Sequence, residues 1–225
     1  MAESKKILIV EGDADKSFFE KVSRKLSINA SVKVPKDLRG NRNSKEGVFE
    51  QLKLHLPQLN GGAYSHIAIV VDADYRQYHG LGYQATIDRV SEIVHPYDFE
   101  LVQNSVHGIR FKNTEGLADF GLWIMPDNRQ EGMLEDFIKR CIKESEQALF
   151  QQAMKAVQQI SKPKFSEHLT TKAEVATWLA WQKQPGHGLY GAINDELLDI
   201  DSALFNELKQ WLLRVFAETA AGAEG

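Results

Sequence analysis

Cys141 is the only cysteine in 225 residues. No disulfide can close within the chain, and no zinc ribbon or finger can be assembled from thiolates. No apolar stretch reaches the roughly 20 residues a membrane helix needs. A Gly-x-x-x-x-Gly-Lys-Ser/Thr run is also missing, so there is no P-loop to grip a nucleoside triphosphate. The opening residues Met1 to Lys6 carry no secretory apolar segment, and a cytoplasmic protein that does not engage membranes is expected. Neither an internal repeat nor a low-complexity tract interrupts the chain.

What is present is an ordinary globular composition, 43% hydrophobic and 26% charged, with a net charge of −4. The charge is unevenly spread. Between Arg24 and Lys45 stand seven basic residues (Arg24, Lys25, Lys33, Lys36, Arg39, Arg42, Lys45) against one acid, Asp37. That segment is +6, which leaves −10 for the remainder. Such a segment reads either as a solvated helix end and loop or as a basic edge that grips a polyanion. Under the second reading Arg39, Arg42 and Lys45 are candidate phosphate contacts with nucleic acid.

The first half alternates strand-like and helix-like patterns. Ile7–Val10, Ala30–Val34 and Ile67–Val71 read as strands. Phe18, Phe19, Val22 and Leu26 recur at helical spacing, as do Val48, Phe49, Leu52 and Leu56, and then Ile87, Val90 and Ile93. The second helix is expected to stop near Pro57 and the Asn60-Gly61-Gly62 turn. Phe99–Val102, Ile109–Phe111 and Gly121–Met125 suggest further strands, with a turn at Lys112–Gly116. Beyond Pro126 the patterns become helical. The expectation is a doubly wound, mainly parallel α/β sheet over residues 1–128. A helical C-terminal region, residues 129–225, packs on it or beside it. Gly186-His187-Gly188-Leu189-Tyr190-Gly191 matches a dinucleotide fingerprint by letter, but it follows a helical pattern and reads as a loop.

Two acidic signatures end apolar runs. Glu11-Gly12-Asp13 follows Ile7–Val10, and Asp72-Ala73-Asp74 follows Ile67–Val71. Carboxylates at the ends of buried parallel strands converge on the crevice where open α/β sheets bind ligands. Side chains two apart on a strand share a face, so Asp72 and Asp74 are expected to point together. Carboxylates so grouped repel one another unless a proton or cation intervenes. Mg2+, which prefers oxygen ligands, is the expected ion, with Mn2+ as a substitute. Gly12 lets a phosphate or nucleotide approach the backbone. Asp13 and Asp15 are either further ligands or helix caps. Glu131, Glu135 and Asp136 are either a second metal site or helix N-terminal acids.

The pair of signatures resembles the TOPRIM domain of topoisomerases, primases and OLD-type nucleases, in which a glutamate follows the first strand and an Asp-x-Asp the third. The run Ile124-Met125-Pro126-Asp127-Asn128, with Gly132-Met133-Leu134-Glu135-Asp136, looks like a group of bacterial TOPRIM-related proteins. So do Lys172-Ala173, Pro185-Gly186 and Gly191-Ala192, which extends the resemblance over nearly the whole chain. The resemblance implies Mg2+-dependent phosphodiester chemistry. Glu11 would be the general acid or base, and Asp72 and Asp74 metal ligands, with Asp13 and Glu135 as further candidates. The chain has no room for a strand-passage domain, and its single cysteine cannot build the zinc modules of primases. Without a P-loop, the expectation is either a stand-alone catalytic core or a subunit whose protein partner supplies an ATPase or targeting function. The function expected is a nuclease-like hydrolase.

Two other classes stay open. A module that holds a metal, a nucleotide or a nucleic acid without catalysis fits the same acids. A response-regulator receiver also places acids after strands one and three, with Asp72 in the phosphoacceptor position. Against it, Gly12 replaces the second acid of the receiver pair, and Lys162-Pro163 follows a long helical stretch instead of a fifth strand. The phosphatases with an Asp-x-Asp nucleophile continue their motif differently from Asp74-Tyr75-Arg76.

Overall fold

Ile7 to Val10, Ile67 to Val71 and Leu122 to Met125 are almost wholly shielded from solvent. Continuous apolar runs of that kind belong in strands covered on both faces, and the computed structural model has them there. It describes residues 5–36, 40, 44–60 and 62–216. β1 (Lys6–Val10) pairs in parallel with β2 (Ser31–Lys33) on one side and with β3 (His66–Asp72) on the other. β4 (Phe99–Ser105) and β5 (Gly108–Asn113) form an antiparallel hairpin. β6 (Phe120–Met125) runs parallel to β3 and antiparallel to β5, giving the order β2-β1-β3-β6-β5-β4.

Alternating side chains divide the core into two layers. Leu8, Val10, Ala68, Val70, Trp123 and Met125 face α1 (Asp13–Lys25), which contributes Phe18, Phe19 and Val22. Ile7, Ile9, Ile67, Ile69, Leu122 and Ile124 face α2 (Lys45–Asn60) and α3 (Tyr83–Val94). The architecture is therefore doubly wound α/β, as the sequence pattern implies. After β6 come α4 (Leu134–Arg140), α5 (Glu144–Gln158), α6 (Thr170–Ala180), α7 (Tyr190–Asn194) and α8 (Ala203–Val215). Phe137, Trp178, Phe205 and Trp211 from these helices join the cluster that contains Leu8, Val70 and Trp123. The C-terminal helices thus lie on the α1 face of the sheet and share its core. Among the described residues no helix is long and apolar enough to cross a membrane.

Two local details differ from the sequence pattern. Pro57 lies inside α2, which continues to Asn60. Proline removes one helical hydrogen bond, but Leu56 and Leu59 on either side are buried and hold the last turn in place. β5 runs on to Asn113, whose Oδ1 accepts the amide N–H groups of Glu115 and Leu117, so the turn forms after it.

From β1 the chain goes to β2 on one flank, and β3 then lies on the other. The carboxyl ends of β1 and β3 therefore flank a topological switch point, where sheets of this kind open a crevice.

Candidate functional site

Glu11 is the first residue beyond β1, and Asp72 is the last of β3. Glu11 Oε1 accepts the backbone N–H of Asp72 at 2.8 Å. The carboxylate so caps the ladder between the two strands, one residue past the last paired position, Val10 with Val70. Asp72 Oδ1 in turn accepts the N–H of Leu134, at the start of α4, at 3.0 Å. Ala73 turns into the opposite core layer and donates its N–H to the Met125 carbonyl at 3.0 Å.

Asp74 meets the other acids by a different route from the one strand periodicity implies. β3 ends at Asp72, and Asp74 adopts φ of 61°. It exchanges backbone hydrogen bonds with Gly132 at 2.9 and 3.2 Å. That bridge ties the loop after β3 to the loop after β6. Lys45 Nζ, at the start of α2, donates to Asp74 Oδ2 at 2.5 Å, and the lysine side chain is only 11% exposed. Lys45 is thus directed into the acidic site, not along an outer basic edge. Arg39 and Arg42 lie outside the described residues.

A second group of acids completes the cluster. Asp15 is the third residue of α1, and its carboxyl takes backbone hydrogen bonds at Gly12 and at its own amide. That is the reciprocal arm of a capping box, and Gly12 is the N-cap, in extended backbone. Glu135 is buried and pairs with Lys172 of α6 at 3.0 Å. Asp13 opens α1 as an exposed residue.

Five carboxylates (Glu11, Asp15, Asp72, Asp74, Glu135) therefore stand against two lysines (Lys45, Lys172), a formal excess of three negative charges. The titration of the acids reflects that excess. Burial, with Asp74 and Asp15 adding to it, pushes Glu11 up to about 8, although Lys45 and the Asp72 amide pull the other way. Burial and then Glu135 raise Asp15 to about 6. Asp72 is held well above the usual carboxylate range by burial first, then by Glu11, Asp15, Glu135 and Asp74. Burial alone would lower Lys172, but Glu135 beside it, with Asp72 and Asp15, raises it instead. The acids cannot all ionise together, and protons or cations must balance them.

The residues after β6 hold this assembly in position. Asn128 Oδ1 accepts the Ile124 N–H at 2.8 Å, and Asp127 receives Arg140 Nη1 at 2.6 Å. Asp136 Oδ2 accepts both the Tyr75 hydroxyl, at 2.7 Å, and the Met133 N–H, at 2.9 Å. Asp136 is thus a brace between the two loops. Sequence reasoning missed Lys172 as the partner of Glu135 and left Asp15 between a further ligand and a helix cap, with the cap favoured. The available signal for Asp15 was its position four residues after Glu11, within the first turn of α1.

An all-carboxylate donor set suits a hard cation such as Mg2+. As the side chains stand, however, no three His, Cys, Asp or Glu among the described residues are grouped so as to hold an ion. One oxygen each of Glu11, Asp72 and Asp74 is engaged, by the Asp72 amide, the Leu134 amide and Lys45. The chemistry of the donors fits a divalent cation, and Lys45 holds the cationic position beside Asp74. Lys45→Met is expected to destabilise the protein by about 1–2 kcal/mol, because it leaves Asp74 and Glu11 without their counter-charge. Chemical denaturation at pH 8 reads this out, and an unchanged midpoint would show the ion pair to be inconsequential.

The family model described as "Protein of unknown function (DUF3226)" matches residues 5–217. The chain belongs to the DUF3226 family. No curated protein and no solved structure matches it. The DUF3226 match runs from β1 to the end of α8, so it takes in Glu11 and Asp72 on the sheet together with Glu135 and Lys172 on the helices.

Proposed function

We propose that this DUF3226 chain is a Mg2+-dependent, nuclease-like phosphodiester hydrolase that acts on nucleic acid through the acids at the ends of β1 and β3. The observation that carries the reading is the gathering of five carboxylates against two lysines at the switch point, with Glu11 raised to about 8. A carboxyl that titrates near neutrality can both hold and release a proton, which suits a general acid or base. Asp72 and Asp74 are the proposed metal ligands, with Asp13 and Glu135 as further candidates. When bound, the ion would supply Lewis-acid polarisation of a phosphoryl oxygen. Lys45 would then release Asp74 and offer its ammonium to the incoming phosphate. Arg39 and Arg42 are proposed to continue that contact along the backbone of DNA or RNA. The likeness to TOPRIM enzymes supports the same reading. A protein partner that brings an ATPase or targeting function is proposed with it, as is a cytoplasmic location.

A second reading is a module that recognises nucleic acid or a nucleotide without turnover. It is favoured by the internal hydrogen bonds that already engage Glu11, Asp72 and Asp74. End-labelled single- and double-stranded DNA and RNA, incubated with Mg2+ or Mn2+, separate the two. The expected result is cation-dependent cleavage by the wild type that falls by about 100-fold or more in Asp72→Asn, since a lost charge contact to the reacting group costs on that order. Equal cleavage by Glu11→Ala would remove the proton-transfer role. Binding without cleavage by the wild type would favour the recognition module.

A further inference from the structure

β3 rises by ~3.3 Å per residue, so its first residue, His66, lies ~20 Å from the acids at its other end. At that first end a cavity of about 350 Å³ opens between α8 and the antiparallel pair β5 and β6. Its volume falls within the range of roughly 300–1,000 Å³ typical of small-molecule sites. Buried Trp211, with Gly108 and Gly121, forms the floor, and half-buried Leu117, Ala118 and Val215 form apolar walls. His107, Arg110 and Arg214 stand exposed at the rim beside Asp119.

The rim is positioned by its own contacts. Arg110 Nη1 lies 3.3 Å from Asp119 Oδ2, and Arg214 Nη2 donates to the His107 carbonyl. Two arginines against one aspartate leave the lining at +1, in a chain whose net charge is −4. An apolar hollow with a cationic lip is complementary to a molecule that is apolar at one end and anionic at the other. Nothing in the acidic site draws on these residues.

We infer that this cavity binds a small organic anion. The apolar or aromatic body lies against Trp211 and Val215, and the carboxylate, sulfonate or phosphate group lies at Arg214 and Arg110. This is a second site, independent of the hydrolase reading, with the opposite charge preference from the acids at the other end of the sheet.

The test uses the full chain and 8-anilinonaphthalene-1-sulfonate, an anionic aromatic probe, with its emission sensitised through tryptophan. Saturable one-to-one binding is expected in the wild type. Arg214→Gln should weaken it about five-fold, the upper end of what an exposed ion pair contributes. Ala118→Trp, which fills the cavity, should abolish it. The uncharged analogue N-phenyl-1-naphthylamine should bind more weakly than the sulfonate. Arg214 is exposed, so its variant reports even where Ala118→Trp perturbs folding. Absence of saturable binding, or wild-type affinity in a folded Ala118→Trp protein, would overturn the site. Equal affinity for the charged and uncharged probes would overturn its preference for anions.

Discussion

Glu11→Gln is expected to make the metal-free protein more stable at pH 8, by roughly 4 kcal/mol, while it ends any hydrolysis that depends on a titrating group at this position. A glutamate in an unfolded chain titrates near 4.5, whereas burial among the acids brings Glu11 up to about 8 in the folded protein. Between those values the native state holds more protons than the unfolded one, so stability falls as pH rises from about 4.5 to about 8. Asp15, raised to about 6, adds a loss of the same sign at lower pH. Glutamine keeps an oxygen to accept the Asp72 N–H but cannot ionise. The penalty that Glu11 brings is then absent at every pH. Urea titrations at pH 5 and pH 8 measure this directly. The wild-type midpoint should drop between the two, and the variant's should drop less. A variant that is weaker at pH 8 and keeps the full slope would mean that Glu11 carries no such burden. A divalent cation should act in the same direction as the substitution, since binding to the native state alone adds stability by mass action.

Gly108→Ala should destabilise the protein by more than about 3 kcal/mol. A Cβ at this position would lie 2.1 Å from Trp211 Cδ1 and 2.8 Å from its Nε1. The backbone there also has φ of +107°, which L side chains rarely adopt. Trp211 has no simple retreat, because it is only 3% exposed and its ring sits 5.6 Å from that of Trp123. For a chain of this length the midpoint of thermal unfolding should fall by roughly 6–12 °C. A midpoint within about 2 °C of the wild type would show that α8 can shift outward without penalty.

The strands were legible because Ile7–Val10 and Ile67–Val71 are short runs apolar at every position, the pattern of strands in a doubly covered sheet. The acids that end those strands were legible for the same reason: the fold class alone brings Glu11 and Asp72 to the switch point. Asp74 was legible as a residue of the site but not in its geometry. Strand periodicity cannot report that β3 ends two residues earlier, at Asp72, and that the chain turns through a left-handed conformation to pair with Gly132. The pairing of Glu135, itself a candidate from sequence, with Lys172 was harder still. Their ion pair depends on how α4 and α6 settle on the sheet, and no local pattern encodes a contact between positions 37 residues apart. The inward turn of Lys45 was hidden likewise, because a basic run in sequence says nothing about which of its members will face an acid.

The charged cluster draws on positions 11, 15, 72, 74 and 135, and two of its acids are balanced by lysines at 45 and 172. A nascent chain on the ribosome therefore holds every member of the arrangement only after residue 172 has been made. The last acid to arrive, Glu135, is the one that the last-made lysine neutralises, so α6 completes the cluster by adding a counter-charge.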